Sequence, residues 1–109
     1  MATAYYRYIS YPLEVTQVVH ERKVQSMNPK RGYATWYTPT RYDDPTKAQQ
    51  ELALSKPPTH RVGPIPAGEM RDFDIQQLPP VAPAFGQPGG GVEACTRSAV
   101  WLFGLWDLW

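Results

Sequence analysis

The chain has 109 residues, with 11 Lys and Arg against 10 Asp and Glu, and one cysteine. That length suits one domain, residues 1–109, with room for a single site, and a net charge of +1 leaves a nucleic-acid partner unsupported. Cys95 excludes an intrachain disulfide framework, and with His20 and His60 as its only companions it cannot complete a four-ligand zinc site, so a metal-free domain in a reducing compartment is expected.

No apolar run reaches the roughly eighteen residues of a spanning helix, and the N-terminus lacks the basic start and apolar core of a signal peptide, so no membrane partner is expected. The 12 prolines argue for short strands, stiff connections and little helix.

In chain order, Tyr5 to Ile9 is rich in aromatic and β-branched residues and predicts a first strand carrying Arg7. Ser10 can serve as an N-cap, Pro12 suits a first turn, and Val15, Val18 and Val19 fall at helical spacing, which predicts a helix over Leu13 to His20. "NPKRG" at 28–32 is turn chemistry. "YATWYT" at 33–38 predicts a strand with Tyr33, Thr35 and Tyr37 on one face and Ala34, Trp36 and Thr38 on the other. Asp44 as N-cap and Pro45 behind it open a helix to about Leu54, stopped by Pro57 and Pro58. "THRVGPIP" is extended. The stretch from Ala67 to Pro88, with Pro79, Pro80, Pro83 and Pro88, reads as an irregular loop over the body of the domain. Val92 to Thr96 and Val100 to Trp109 predict a hairpin whose second strand is long, apolar on both faces and central. The class is α+β with two short helices.

Three features can carry chemistry: Arg7, the aromatic and threonine strand, and Glu93 after Gly89, Gly90 and Gly91. Each has a plain alternative. Arg7 between tyrosines can be a stacking residue, Tyr33, Trp36 and Tyr37 can be packing, and the glycines can be a turn. Glu93 between Val92 and Ala94 conflicts with the strand pattern, and such conflicts tend to sit at functional sites. Together the three suit a ligand with a phosphate, a sugar and a flat ring. A guanidinium takes phosphate oxygens, aromatic faces take the ring, and a carboxylate binds sugar hydroxyls or stabilises charge at an anomeric carbon.

"YRYIS", "YATWYTPTRYDDPTKAQQELAL", "RVGPIP", "GQPGGGVEA" and the closing "VWLFGLW" together resemble, in order and over nearly the whole chain, the small ADP-ribosyltransferase domains at the C-terminal ends of bacterial polymorphic toxins, nearest to the TreTu type that modifies elongation factor Tu. The resemblance implies a small split β-sandwich holding NAD, as substrate, in a central cleft. Carried over by position, Arg7 and Tyr8 match the first-strand NAD contact, Thr35, Trp36, Tyr37 and Thr38 the strand shaping the nicotinamide pocket, and Glu93 the catalytic glutamate. The glycines would let the loop before Glu93 move, and Gln87 and Gly91 fall where relatives recognise the acceptor. Two departures stand out: residues 33–38 lack the Ser-Thr-Ser pattern, and Gly91 stands where arginine-modifying relatives place a second glutamate. The resemblance further implies a cognate immunity protein, a larger secreted parent, and delivery into the cytoplasm of a target bacterium. An NAD glycohydrolase with the same cleft, and a non-enzymatic protein-binding module, are the alternatives.

Overall fold

The structure, a computed structural model, describes residues 4–24, 35–97 and 99–108. The turn expected at 28–32, and Tyr33 and Ala34 of the expected strand, lie outside the described residues. The described chain is a small α+β fold with three antiparallel sheets and three short helices.

Strand β1 (Ala4–Ile9) forms as its aromatic and β-branched content dictates, and pairs antiparallel with β4 (His60–Pro66). Their register shifts between Tyr5 and Arg7: Tyr5 faces Ile65 but Arg7 faces Val62, so the extra residue lies on β4 at Gly63 and Pro64. Pro64 cannot donate to a ladder, and Gly63 has φ +110° with its backbone against the Tyr5 carbonyl; a Cβ there would lie 2.6 Å from that oxygen. At this break Tyr6 turns its N–H and C=O to Thr38, with both bonds 2.8 Å, and so joins β1 to the end of β3 (Thr35–Tyr37).

Helix α1 (Pro12–Glu21) starts one residue earlier than the valine spacing suggested. Its N-cap is Tyr11 rather than Ser10, whose hydroxyl instead donates to the Lys56 carbonyl at 3.1 Å. The buried face is also rotated. Glu14 and Val18, four apart, point inward, while Val19 and Leu13 are exposed. Arg22 ends the helix in the left-handed region, donating its N–H to the Val18 carbonyl.

Helix α2 (Pro45–Glu51) begins as predicted, with the Asp44 carboxylate accepting from the Thr46 N–H at 2.9 Å and Pro45 at the first position. It ends three residues short of Leu54. Ala53 takes φ +49° and the Leu54 N–H reaches back to the Gln49 carbonyl, the turn that closes a helix from its own backbone before any proline is met.

The stretch from 67 to 88 is not uniformly irregular. Helix α3 (Ala67–Asp72) buries Met70 completely, and β5 (Gln76–Gln77) adds a strand. The expected C-terminal hairpin is also corrected. β6 (Ala94–Thr96) lies between β3 and β5 and pairs with both, not with the chain end. The run after it is two short strands: β7 (Val100–Trp101) pairs with β2 (Lys23–Val24), and β8 (Leu105–Asp107) edges β4. Gly104 divides them. Its carbonyl accepts the Gly63 N–H at 3.0 Å and the Trp106 indole donates to the Gly63 carbonyl at 2.9 Å, which fastens the break to the irregularity on β4. Trp101 and Trp106, at 55% and 53% exposure, are therefore edge residues rather than the centre of a sheet.

The main core gathers Tyr5, Ile9, Val18, Val62, Ile65 and Met70 among others; a smaller cluster of Tyr8, Tyr42 and Ala48 packs α2 against β1. The candidate site lies along β1, which contributes to both.

Candidate functional site

A cavity of about 540 Å³ opens along β1. Its size falls in the roughly 300–1,000 Å³ range of small-molecule pockets. The first strand contributes Tyr6, Arg7 and Tyr8, the start of α1 contributes Leu13 and Glu14, and the end of β3 contributes Trp36, Tyr37 and Thr38. Residues 52–55 after α2, with Phe85 and Glu93, close the other side. Six of the nine residues singled out from sequence thus meet at one cavity: Arg7, Tyr8, Trp36, Tyr37, Thr38 and Glu93. Thr35, Gln87 and Gly91 are not among its lining. Thr35 is fully buried in the β3–β6 ladder opposite Thr96, and the Gln87 backbone exchanges hydrogen bonds with Ala84.

Arg7 is not an open clamp. Its Nε donates to Glu14 Oε2 at 3.2 Å, one terminal nitrogen donates to Glu14 Oε1 at 2.5 Å, and the other to the Trp36 carbonyl at 3.0 Å. The guanidinium therefore ties β1 to α1 and β3 with three of its five N–H groups and has two left for a ligand. The side chains of Arg7 and Glu14 are only 14% and 11% exposed, and the pair is bidentate, the strong geometry for these groups. Glu14 is the polar residue that sequence reasoning missed. Nothing near it in the chain marks this first-turn acid; its burial follows from where β1 brings Arg7.

Behind this pair the tyrosines titrate late. Tyr37 is 2% exposed, its hydroxyl is buried without a hydrogen bond of ordinary geometry, and burial pushes its phenol up to about 12, against the weaker pull of Arg7 and a nearby Thr96 hydroxyl. Burial also raises the Tyr8 phenol, and burial together with the Glu51 carboxylate raises that of Tyr42. A phenol whose folded pKa lies above its usual 10.0 contributes stability that is whole below pH 10 and is lost as pH rises through the folded value. Unfolding free energy measured from pH 9 to pH 12 should therefore fall steeply above pH 10. Tyr37→Phe should make that fall shallower while leaving neutral-pH stability nearly unchanged, since the lost hydroxyl had no good partner. Equal slopes in the two proteins would show that Tyr37 is not the titrating group.

The loop that brings Glu93 to the cavity is tied down at several points; Gly89 and Gly91 serve close approach of backbones, while Gly90, with φ +94° and open space around it, serves a left-handed turn. Ala84 and Gln87 exchange both backbone hydrogen bonds around Phe85 and Gly86, the Val81 N–H donates to the Gly91 carbonyl, and the Gly90 N–H donates to the Val81 carbonyl. The Gly89 N–H donates to the Gln50 carbonyl at 2.9 Å and the Gly91 N–H to the Glu51 carbonyl at 3.0 Å, satisfying oxygens that the end of α2 leaves over. A Cβ on Gly91 would lie 2.9 Å from the Glu51 carbonyl oxygen and 3.2 Å from the Tyr42 hydroxyl, so the glycine there is required by packing. Phe85, which carries no sequence signal of its own, has φ +53° and is 66% exposed at the cavity edge. A bulky residue in the left-handed region is an outlier of the sort that collects at working loops.

Among the described residues no group of three or more His, Cys, Asp or Glu gathers as a metal would need, and no helix is long and apolar enough to cross a membrane. Compared with known proteins, the chain matches no family model, no curated protein and no solved structure.

Proposed function

We propose that the cavity binds NAD and that the domain transfers its ADP-ribose to a protein of bacterial translation, elongation factor Tu being the acceptor suggested by the type it resembles. The observation that carries this reading is the convergence, on one cavity, of residues far apart in the chain: Arg7, the 36–38 strand end and Glu93. Their chemistry fits the substrate in parts. The two remaining Arg7 N–H groups suit a phosphate or ribose oxygen, the half-buried Trp36 suits a flat ring, with Tyr37 buried behind it, and the Glu93 carboxylate suits the nicotinamide ribose.

In the step itself the bond between the nicotinamide nitrogen and ribose C1′ breaks, and its electron pair leaves with the ring, which becomes neutral. Positive charge builds on the ribose as the bond stretches, and a carboxylate set there stabilises a state that the bound substrate lacks. The acceptor then bonds to C1′ and loses a proton. In this reading the domain works in the cytoplasm of a bacterium into which a larger effector has carried it, and an immunity protein would act by covering the cavity mouth.

NAD should raise the melting temperature of the domain, and NAD labelled in its adenosine half should label one protein in a bacterial lysate. Release of free ADP-ribose with no labelled protein would make water the acceptor. Absence of both a thermal shift and any NAD loss would remove the enzymatic reading and leave a binding module.

A further inference from the structure

We propose that Tyr42 and Glu51 are positioning residues which set where Glu93 stands relative to the Arg7 strand; the inference rests on the NAD-cleaving reading for its catalytic consequence. The two walls of the cavity come from segments far apart in the chain, β1 at one side and the loop of Phe85 and Glu93 at the other. A continuous chain of contacts joins them through neither ladder.

It starts at Tyr8, next to Arg7 and itself part of the cavity wall. The Tyr8 hydroxyl donates to the Tyr42 carbonyl at 3.0 Å and accepts the Tyr42 N–H, so one phenol holds both backbone groups of Tyr42. The two rings meet edge to face with centroids 5.6 Å apart. Tyr42 then donates its own hydroxyl to Glu51 Oε1 at 2.8 Å. Glu51 is the last residue of α2, and its carbonyl accepts the Gly91 N–H. Gly91 also runs beside the Tyr42 hydroxyl, at the 3.2 Å that a Cβ would have to share.

Two residues on is Glu93. On its far side the chain is fixed as well: the Leu78 N–H donates to the Glu93 carbonyl at 3.1 Å, and Ala94 enters the β6 ladder opposite Tyr37. Glu93 is thus spanned between the clasp at Gly91 and the ladder at Ala94. The ladder fixes it against β3, which Tyr6 and Arg7 tie to β1; the Tyr8–Tyr42–Glu51–Gly91 chain ties it to β1 again, from the Gly91 side. Catalytic geometry is sensitive on this scale, since a misplacement of about 1 Å can cost roughly a hundredfold in rate.

Tyr42→Phe is the discriminating change. It keeps the ring, its packing on Tyr8 and the backbone bonds, and removes only the hydroxyl that grips Glu51. Loss of that hydrogen bond should loosen the clasp by about tenfold. In Tyr42→Phe the amide of Gly91 should exchange about tenfold faster while those of Ile9 and Val62 keep their rates. The Glu93 side-chain carboxyl resonance should shift, and kcat for NAD loss should fall about tenfold with KM within about twofold. Glu51→Gln, which still offers an oxygen to Tyr42, should retain most of the wild-type behaviour in all three readouts.

An unchanged Gly91 exchange rate in Tyr42→Phe would overturn the clasp. Faster exchange with an unmoved Glu93 resonance would show a clasp that does not position the carboxylate. Neither the exchange nor the resonance needs turnover. A wild-type domain that leaves NAD intact therefore refutes the NAD-cleaving reading and the kcat effect drawn from it, while these two measurements still decide whether Tyr42 and Glu51 place Glu93.

Discussion

Glu93→Ala should bind NAD about as well as the wild type and cleave it about a hundred- to a thousandfold more slowly, the usual loss when one well-placed electrostatic group leaves a catalytic site. The asymmetry follows from what the carboxylate would do. An interaction stronger in the transition state than in the bound substrate lowers kcat when removed and leaves affinity largely intact. Glu93 is half-buried at the cavity wall, between the Gly91 clasp and the start of β6 and outside both core clusters, so its removal should leave the fold standing. Glu93→Gln keeps the size and much of the hydrogen bonding but not the charge. It should be nearly as inactive as Glu93→Ala, which separates charge stabilisation from simple placement. Bacteria expressing either variant should grow, and NAD consumption should be close to background. Full activity in either variant would remove the mechanism, and loss of NAD affinity in step with turnover would make Glu93 a binding group instead.

What the sequence made legible was whatever depends on neighbours in the chain. Asp44 and Pro45 announce α2 by a capping geometry complete within three residues, and the aromatic run around Arg7 announces β1. The failures share the opposite property. The segment "AGEMRD" folds as α3 with no side-chain cap to announce it, because Met70 has a place in the core. The expected hairpin failed because β6, β7 and β8 each take a partner distant in sequence, a choice no alternation pattern encodes. The same limit applied at the site. Arg7 and Glu93 could be singled out because each breaks its local pattern. Glu14 breaks none, and only the distance from β1 to α1 shows that it is the partner of Arg7. Tyr42 carries no signal of its own, and Gly91 stands out only for the acceptor; their meeting at Glu51 depends on where α2 ends.

Glu14→Ala should destabilise the domain by about 3–5 kcal/mol, the cost of stripping one partner from a buried pair and leaving the other charge in place. That is a large part of the about 5–15 kcal/mol that holds a domain together, so the variant should unfold at much lower denaturant. Arg7 is 14% exposed, so most of its guanidinium lies away from water that could replace the carboxylate, although the cavity wets its open edge. This makes the obvious test of Arg7 ambiguous: Arg7→Ala strands Glu14 in the same way, and a loss of NAD binding could be a loss of fold. Replacing both charges resolves it. Arg7→Met with Glu14→Leu removes the pair together, and such exchanges are often neutral in stability, here less the bond to the Trp36 carbonyl. The double variant should recover most of the stability lost in Glu14→Ala and still bind NAD poorly, because the two N–H groups that Arg7 holds in reserve are gone. Arg7→Lys should bind little better, since an ammonium cannot span Glu14, the Trp36 carbonyl and a ligand oxygen from one planar group. A double variant that is stable and binds NAD with wild-type affinity would make Arg7 a staple between β1, α1 and β3 and nothing more. A Glu14→Ala protein as stable as the wild type would show that the pair holds neither the fold nor the arginine.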